Sequence, residues 1–128
     1  MRILLDTHVA LHFLRPTVAK QYREIGRRLA DPSTTGFISV ASLWEIAIKT
    51  RLGKLDAGMP LQDVAGYLEA IGLSMLSIEV GHVITATYPE PESRDPFDRL
   101  LLAQCQIENL KLLTLDCALL KHPLALRI

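Results

Sequence analysis

Two short apolar runs near opposite ends of the chain, Arg2-Ile3-Leu4-Leu5-Asp6 and Lys111-Leu112-Leu113-Thr114-Leu115-Asp116, both stop on an aspartate. Runs that are apolar at consecutive positions fit strands buried on both faces of a parallel sheet. The carboxyl ends of such strands line the crevice where ligands bind, so two strands ending alike bring Asp6 and Asp116 to one rim despite their separation in sequence. Two carboxylates on one rim call for a cation. Each aspartate is equally suited to capping the helix or turn after its strand, so the other carboxylates must decide between the two readings.

Strand and helix patterns alternate between these runs. After a first strand over 2–6, a short helix reaches Phe13, and Pro16 opens a longer amphipathic helix to Ala30. A strand over 36–39 feeds a helix over 40–52 that Gly53 stops, and Pro60 starts another running to Ile71. A third strand is predicted over 73–78, a short helix over 80–87, a proline-broken loop over 88–94, and a helix over 96–108. The strand ending at Asp116 and a last strand over 125–127 complete the order. This alternation predicts an α/β fold: an open, mainly parallel sheet with helices on both faces.

A length of 128 residues suits one domain, 1–128, large enough to bury a core without staples. A hydrophobic fraction of 49% with only 5% aromatics fits an aliphatic α/β core. Only three apolar residues separate Arg2 from Asp6, which argues against a signal peptide, and the longest uncharged run, Pro32 to Trp44, is too short to span a bilayer. The expected location is the cytoplasm, away from membranes. Cys105 and Cys117 form no Cys-x-x-Cys pair and lie in apolar surroundings, so both are expected as reduced core residues.

A formal charge of zero ordinarily argues against a nucleic-acid partner. The distribution matters more than the total. Basic residues gather at Lys20, Arg23, Arg27 and Arg28 and again at Lys49, Arg51 and Lys54; if four of the 14 acids converge on a metal, ten remain against 14 bases. Such clusters also fit plain solvated helix faces.

Glu45 lies in Ser39-Val40-Ala41-Ser42-Leu43-Trp44-Glu45-Ile46-Ala47-Ile48-Lys49, a helix apolar almost all round, where a charge must be paired or functional. Ser42 to Glu45 has capping-box spacing, and Glu45 to Lys49 is a favourable i,i+4 ion pair, so both structural readings stay open. The stretch Arg94-Asp95-Pro96-Phe97-Asp98-Arg99 starts a helix, with Asp95 as N-cap and Pro96 in the first turn. Asp98 shares its helix face with Leu102 and Cys105, so it points toward the core and needs a partner that a metal ion would supply.

Taken together, these segments resemble the PIN-domain ribonucleases, most closely the toxin subunits of VapBC-type toxin–antitoxin pairs. The resemblance runs through Leu4-Leu5-Asp6-Thr7-His8, the Ser39 to Lys49 segment, Arg94 to Gln104, and Leu112 to Asp116, in the family's order and spacing. It implies an acidic quartet of Asp6, Glu45, Asp98 and Asp116, with Asp6, Asp98 and Asp116 as metal ligands and Glu45 as a ligand or water-orienting base. It also implies supporting roles for Thr7, Asp95, Thr114 and Arg99. The implied activity is hydrolysis of RNA to leave a 5′-phosphate, and the implied partners are an antitoxin and a second copy in a homodimer or larger assembly. One departure is Ser93, where many relatives carry histidine; it bears only on loop-borne substrate contacts.

The residue types fit that chemistry. Phosphodiester hydrolysis needs a nucleophile made from water and neutralisation of charge on the transition state and the leaving oxygen, which hard oxygen ligands on Mg²⁺ or Mn²⁺ supply. His8 and His12 have i,i+4 spacing for zinc, but no third soft ligand follows. A phosphatase-like domain could also place Asp6 after a first strand, but the Asp-x-Asp that haloacid-dehalogenase-like enzymes need is absent, since His8 stands at the second position. A non-catalytic PIN-like interaction module is the remaining alternative. The apolar face from Val18 to Leu29, with Trp44, is expected to serve a partner or to pack in the core.

Overall fold

A computed structural model describes residues 1–15 and 20–127, with the side chains of Lys20 and Gln21 excepted. The elements follow in the order β1 (Arg2–Leu5), α1 (Thr7–Leu14), α2 (Lys20–Ala30), β2 (Thr35–Ser39), α3 (Val40–Arg51), α4 (Leu61–Ala70) and β3 (Ser74–Leu76). Then come α5 (Val80–Ile84), α6 (Pro96–Glu108), β4 (Lys111–Leu113), α7 (Cys117–Leu120) and β5 (Ala125–Leu126). The five strands form one sheet in the order β3-β2-β1-β4-β5, every pair parallel. The order reverses direction between β1 and β4, the topological switch point where the crevice of an open α/β sheet lies.

Strand alternation sends successive side chains to opposite faces and so builds two cores. Ile3, Leu5, Ile38 and Leu113 pack with Val9, Ala10 and Leu14 of α1, Ile25 of α2, and Val64 and Leu68 of α4. Leu4 and Leu112 pack on the other face with Leu101, Leu102 and Cys105 of α6 and Leu119 of α7. At Gly36 a Cβ would come 2.8 Å from Leu73 and 3.0 Å from Leu29, so a glycine lets β2 lie close beneath these side chains. Gly53, with φ of 72°, ends α3 as the sequence predicts.

Several predicted bounds move. The strand expected to run to Asp116 stops at Leu113, whose carbonyl accepts the Asp6 amide at 2.9 Å as the β1–β4 ladder closes. Residues 117–120 then form the short helix α7. The strand expected over 73–78 is held to 74–76, the part facing Phe37 to Ser39 of β2. The helix expected over 80–87 stops at Ile84, where β-branched Thr85 and Thr87 and the approach to Pro89 withdraw helical support. The predicted helix start at Pro16 and the partner-facing residue Val18 lie outside the described residues; Ile25 is core, and Tyr22 and Leu29 pack against it. Cys105 is buried, which pushes its thiol up to about 12, whereas Cys117 is exposed at the start of α7 rather than in the core.

Candidate active site

Asp6 follows β1 directly and is the N-cap of α1, its Oδ1 accepting the Thr7 amide at 2.8 Å. Asp116 caps α7 in the same way, accepting the Ala118 amide at 2.8 Å. Both aspartates therefore cap, as one reading of the sequence holds, and both still sit at the carboxyl ends of adjacent strands. Capping does not exhaust a carboxylate, which offers about four lone-pair sites.

Thr114 joins the two. Its hydroxyl donates to Asp6 Oδ2 at 2.8 Å and accepts the Asp116 amide at 3.0 Å, so one buried side chain fixes the first carboxylate and the backbone of the second. Asp6 is only 3% exposed, and burial pushes its carboxyl above the ordinary range against the opposing hydrogen bond from Thr114. Thr7 faces the other way, its hydroxyl 2.8 Å from that of Ser42 in α3.

Ser42 thus does not cap Glu45. Ser39 is the N-cap of α3, accepting the Ala41 amide at 3.0 Å. Glu45 is 6% exposed, and its Oε2 holds Lys49 Nζ at 2.6 Å, the ion pair that the spacing allows. That bond to Glu45, with further attraction from Asp95 and Asp98, raises the Lys49 ammonium above its ordinary value and keeps it charged.

At the start of α6, Asp95 Oδ1 accepts the amides of Phe97 at 2.8 Å and Asp98 at 3.1 Å, the expected N-cap. Asp98 is half-buried one turn above Leu102, and its carboxyl is pushed up to about 6, first by burial and then by repulsion from Asp95, Asp6 and Asp116. Helix α6 thus brings Asp98 into the field of both strand-end aspartates. Ser93 was expected to bear only on substrate contacts, yet its hydroxyl donates to Asp98 Oδ2 at 2.8 Å. Of the histidine pair, His8 is exposed and His12 stacks on Tyr22 with ring centroids 3.6 Å apart.

The donors are all hard oxygens, and Asp98 shares one negative field with Asp95, Asp6 and Asp116, which fits a divalent ion of the Mg²⁺ or Mn²⁺ class. Among the described residues no three acidic, histidine or cysteine side chains already stand in a closed ligand set. Thr114, Ser93 and Arg99 owe their contacts to tertiary placement; the resemblance implies supporting roles for Thr114 and Arg99 but not the partners they take.

A family model for the PIN domain matches residues 3–123. No curated protein matches the chain. Among solved structures, a chain in the crystal structure of VapBC2 from Rickettsia felis bound to a DNA fragment from their promoter is similar over 98% of this chain and 96% of its own, with 16% identity and a TM-score of 0.65. That likeness concerns the fold, and it extends from end to end.

Proposed function

The chain belongs to the PIN-domain family, and on that footing we propose that it is a metal-dependent endoribonuclease acting as the toxin of a VapBC-type toxin–antitoxin pair. The observation that carries the reading is the Thr114 bridge at the switch point, which ties Asp6 to the turn of Asp116, with Asp98 in the electrostatic field of both. PIN domains are generally nucleases, and hydrolysis by a metal-activated water at an acidic rim requires no serine, cysteine or histidine nucleophile.

In this reading Asp6, Asp98 and Asp116 hold Mg²⁺ or Mn²⁺, and Glu45 is a further ligand or orients the attacking water. The bound cation supplies Lewis-acid polarisation of the phosphate and a nucleophile at neutral pH. Thr114 restricts the Asp6 carboxylate to one orientation through its hydroxyl. Thr7, through Ser42, sets α1 against α3 and so spaces Asp6 from Glu45. Lys49 offsets the charge of Glu45 in the buried wall and stands beside a site that must admit a phosphate. Asp95 starts α6 and thereby aims Asp98.

The relative's assembly supports an antitoxin as partner, and Trp44, 59% exposed and edge-on to Phe97 at 5.5 Å, offers such a partner or a second copy an aromatic anchor beside Glu45. Placement in the cytoplasm, a single domain over 1–128 and a homodimer or higher assembly with antitoxin belong to the same proposal. No described helix is long and apolar enough to cross a membrane. The test is cleavage of a mixed RNA pool by purified protein. Activity should require Mg²⁺ or Mn²⁺, vanish in chelator, and recover poorly in Ca²⁺; undiminished cleavage in excess chelator rules the mechanism out.

A further inference from the structure

The loop entering α6 is gripped by one side chain. Arg99 donates from Nε to the Ser93 carbonyl at 2.7 Å, from one terminal nitrogen to Glu90 at 2.6 Å, and from the other to the Pro91 carbonyl at 3.1 Å. Helical side chains lean toward the helix N-terminus, so Arg99, in the second turn of α6, reaches back over the incoming chain instead of down into the core. Its planar fork meets three acceptors at fixed angles, which the single ammonium of lysine does not reproduce. From the opposite side His122 Nε2 meets the Pro89 carbonyl at 2.9 Å.

The clamp fixes Ser93. With its carbonyl held by Arg99, Ser93 turns its hydroxyl between the Asp95 amide, 3.2 Å away, and Asp98 Oδ2, 2.8 Å away. Asp98 stands among like charges from Asp95, Asp6 and Asp116. The Ser93 hydroxyl is the one side-chain donor to it among the described residues. Oδ1 of Asp98 takes no hydrogen bond among the described residues.

We propose that Arg99 and Ser93 are positioning residues for Asp98: the guanidinium sets the loop, the loop sets the hydroxyl, and the hydroxyl anchors Oδ2 so that Oδ1 is presented to a divalent cation. The inference rests on the metal-nuclease reading above. Such outer partners of metal-binding carboxylates change metal affinity by about 10- to 100-fold when removed.

The experiment measures Mn²⁺ binding to the full chain by electron paramagnetic resonance, without RNA, for wild type, Ser93→Ala, Ser93→Thr, Arg99→Lys and the Ser93→Ala/Arg99→Lys double variant. Ser93→Ala should weaken binding about tenfold, and Ser93→Thr, which keeps the hydroxyl, should recover most of it. Arg99→Lys should weaken binding likewise, and the double variant should be no worse than the poorer single, because both act on one bond. In RNA cleavage the loss should fall on kcat and shrink as Mn²⁺ is raised, with KM for RNA little changed; a purely structural role would lower the melting temperature without that metal dependence. If Arg99→Lys fails to fold, the Ser93→Ala and Ser93→Thr pair decides. Wild-type affinity in Ser93→Ala, or full additivity in the double variant, overturns the inference alone. A wild-type chain that binds no Mn²⁺ and cleaves RNA in chelator removes the functional reading and this inference together.

Discussion

Replacing Asp98 with asparagine removes a charge that the metal-free fold holds at a cost. In the folded chain the Asp98 carboxyl titrates at about 6, above the value of roughly 3.9 for an unfolded aspartate. The folded state therefore binds more protons than the unfolded state between these values, and stability falls as pH rises from about 4 to about 6. At about 1.4 kcal/mol per pH unit the ionised carboxylate costs on the order of 3 kcal/mol at neutral pH. Its remaining exposure screens the effect, leaving about 1–2 kcal/mol. Asparagine keeps the shape and an oxygen that accepts from Ser93, and it does not ionise. The helix dipole favours a negative charge here by about 0.3–1 kcal/mol, smaller than the burial cost, so Asp98→Asn should still gain stability. Thermal melts in chelator at pH 7.5 should show the variant melting roughly 3–6 °C higher, with the gap closing toward pH 4.5. Added Mg²⁺ should raise the wild type and leave the variant in place, because only a ligand-binding native state gains by mass action. A variant less stable than wild type at pH 7.5 in chelator, or equally stabilised at both pH values, would refute this reasoning.

Asp95 should behave oppositely: Asp95→Asn keeps the cap and most of the activity, while Asp95→Ala lowers stability by about 0.5–2 kcal/mol with active protein at permissive temperature, read by melts beside a cleavage assay. Thr114→Val leaves the buried Asp6 carboxylate without its hydroxyl donor and should cost about 1–3 kcal/mol in chemical denaturation, with Thr114→Ser restoring most of it. Expression of the chain alone should arrest growth of the host, and Asp6→Ala at equal protein level should relieve the arrest; an equally toxic Asp6→Ala protein would place toxicity elsewhere.

The parallel sheet and the aspartates after its strands are legible in sequence because they rest on local pattern. Consecutive apolar positions in β1 and β4 announce burial on both faces, and Asp95-Pro96 marks the start of α6 without ambiguity. The end of α6 was placed correctly too, although the stop is Asn109 in the left-handed region at φ of 57° and not a glycine. Helix α7 escapes because four residues are too few to show a period. The end of β4 depends on where β1 stops pairing, a property of two strands far apart in sequence. The grip of Arg99 on Ser93 and the reach of Thr114 to Asp6 depend on tertiary neighbours in the same way. Sequence offers Glu45 two partners, Ser42 and Lys49; the choice falls to Lys49 because Ser39 already caps α3 and Ser42 lies inside the helix against Thr7.

In the proposed mechanism water attacks the phosphodiester at the acidic rim with a divalent cation in place. Cleaving RNA in ¹⁸O-labelled water with Mg²⁺, then weighing the product ends by mass spectrometry, tests it directly. Each cut should leave a 5′-phosphate carrying one ¹⁸O on one fragment and a 3′-hydroxyl on the other, with no product from Asp6→Ala. Unlabelled 2′,3′-cyclic phosphate with a 5′-hydroxyl would mean that the RNA's own 2′-hydroxyl is the nucleophile, and would contradict it.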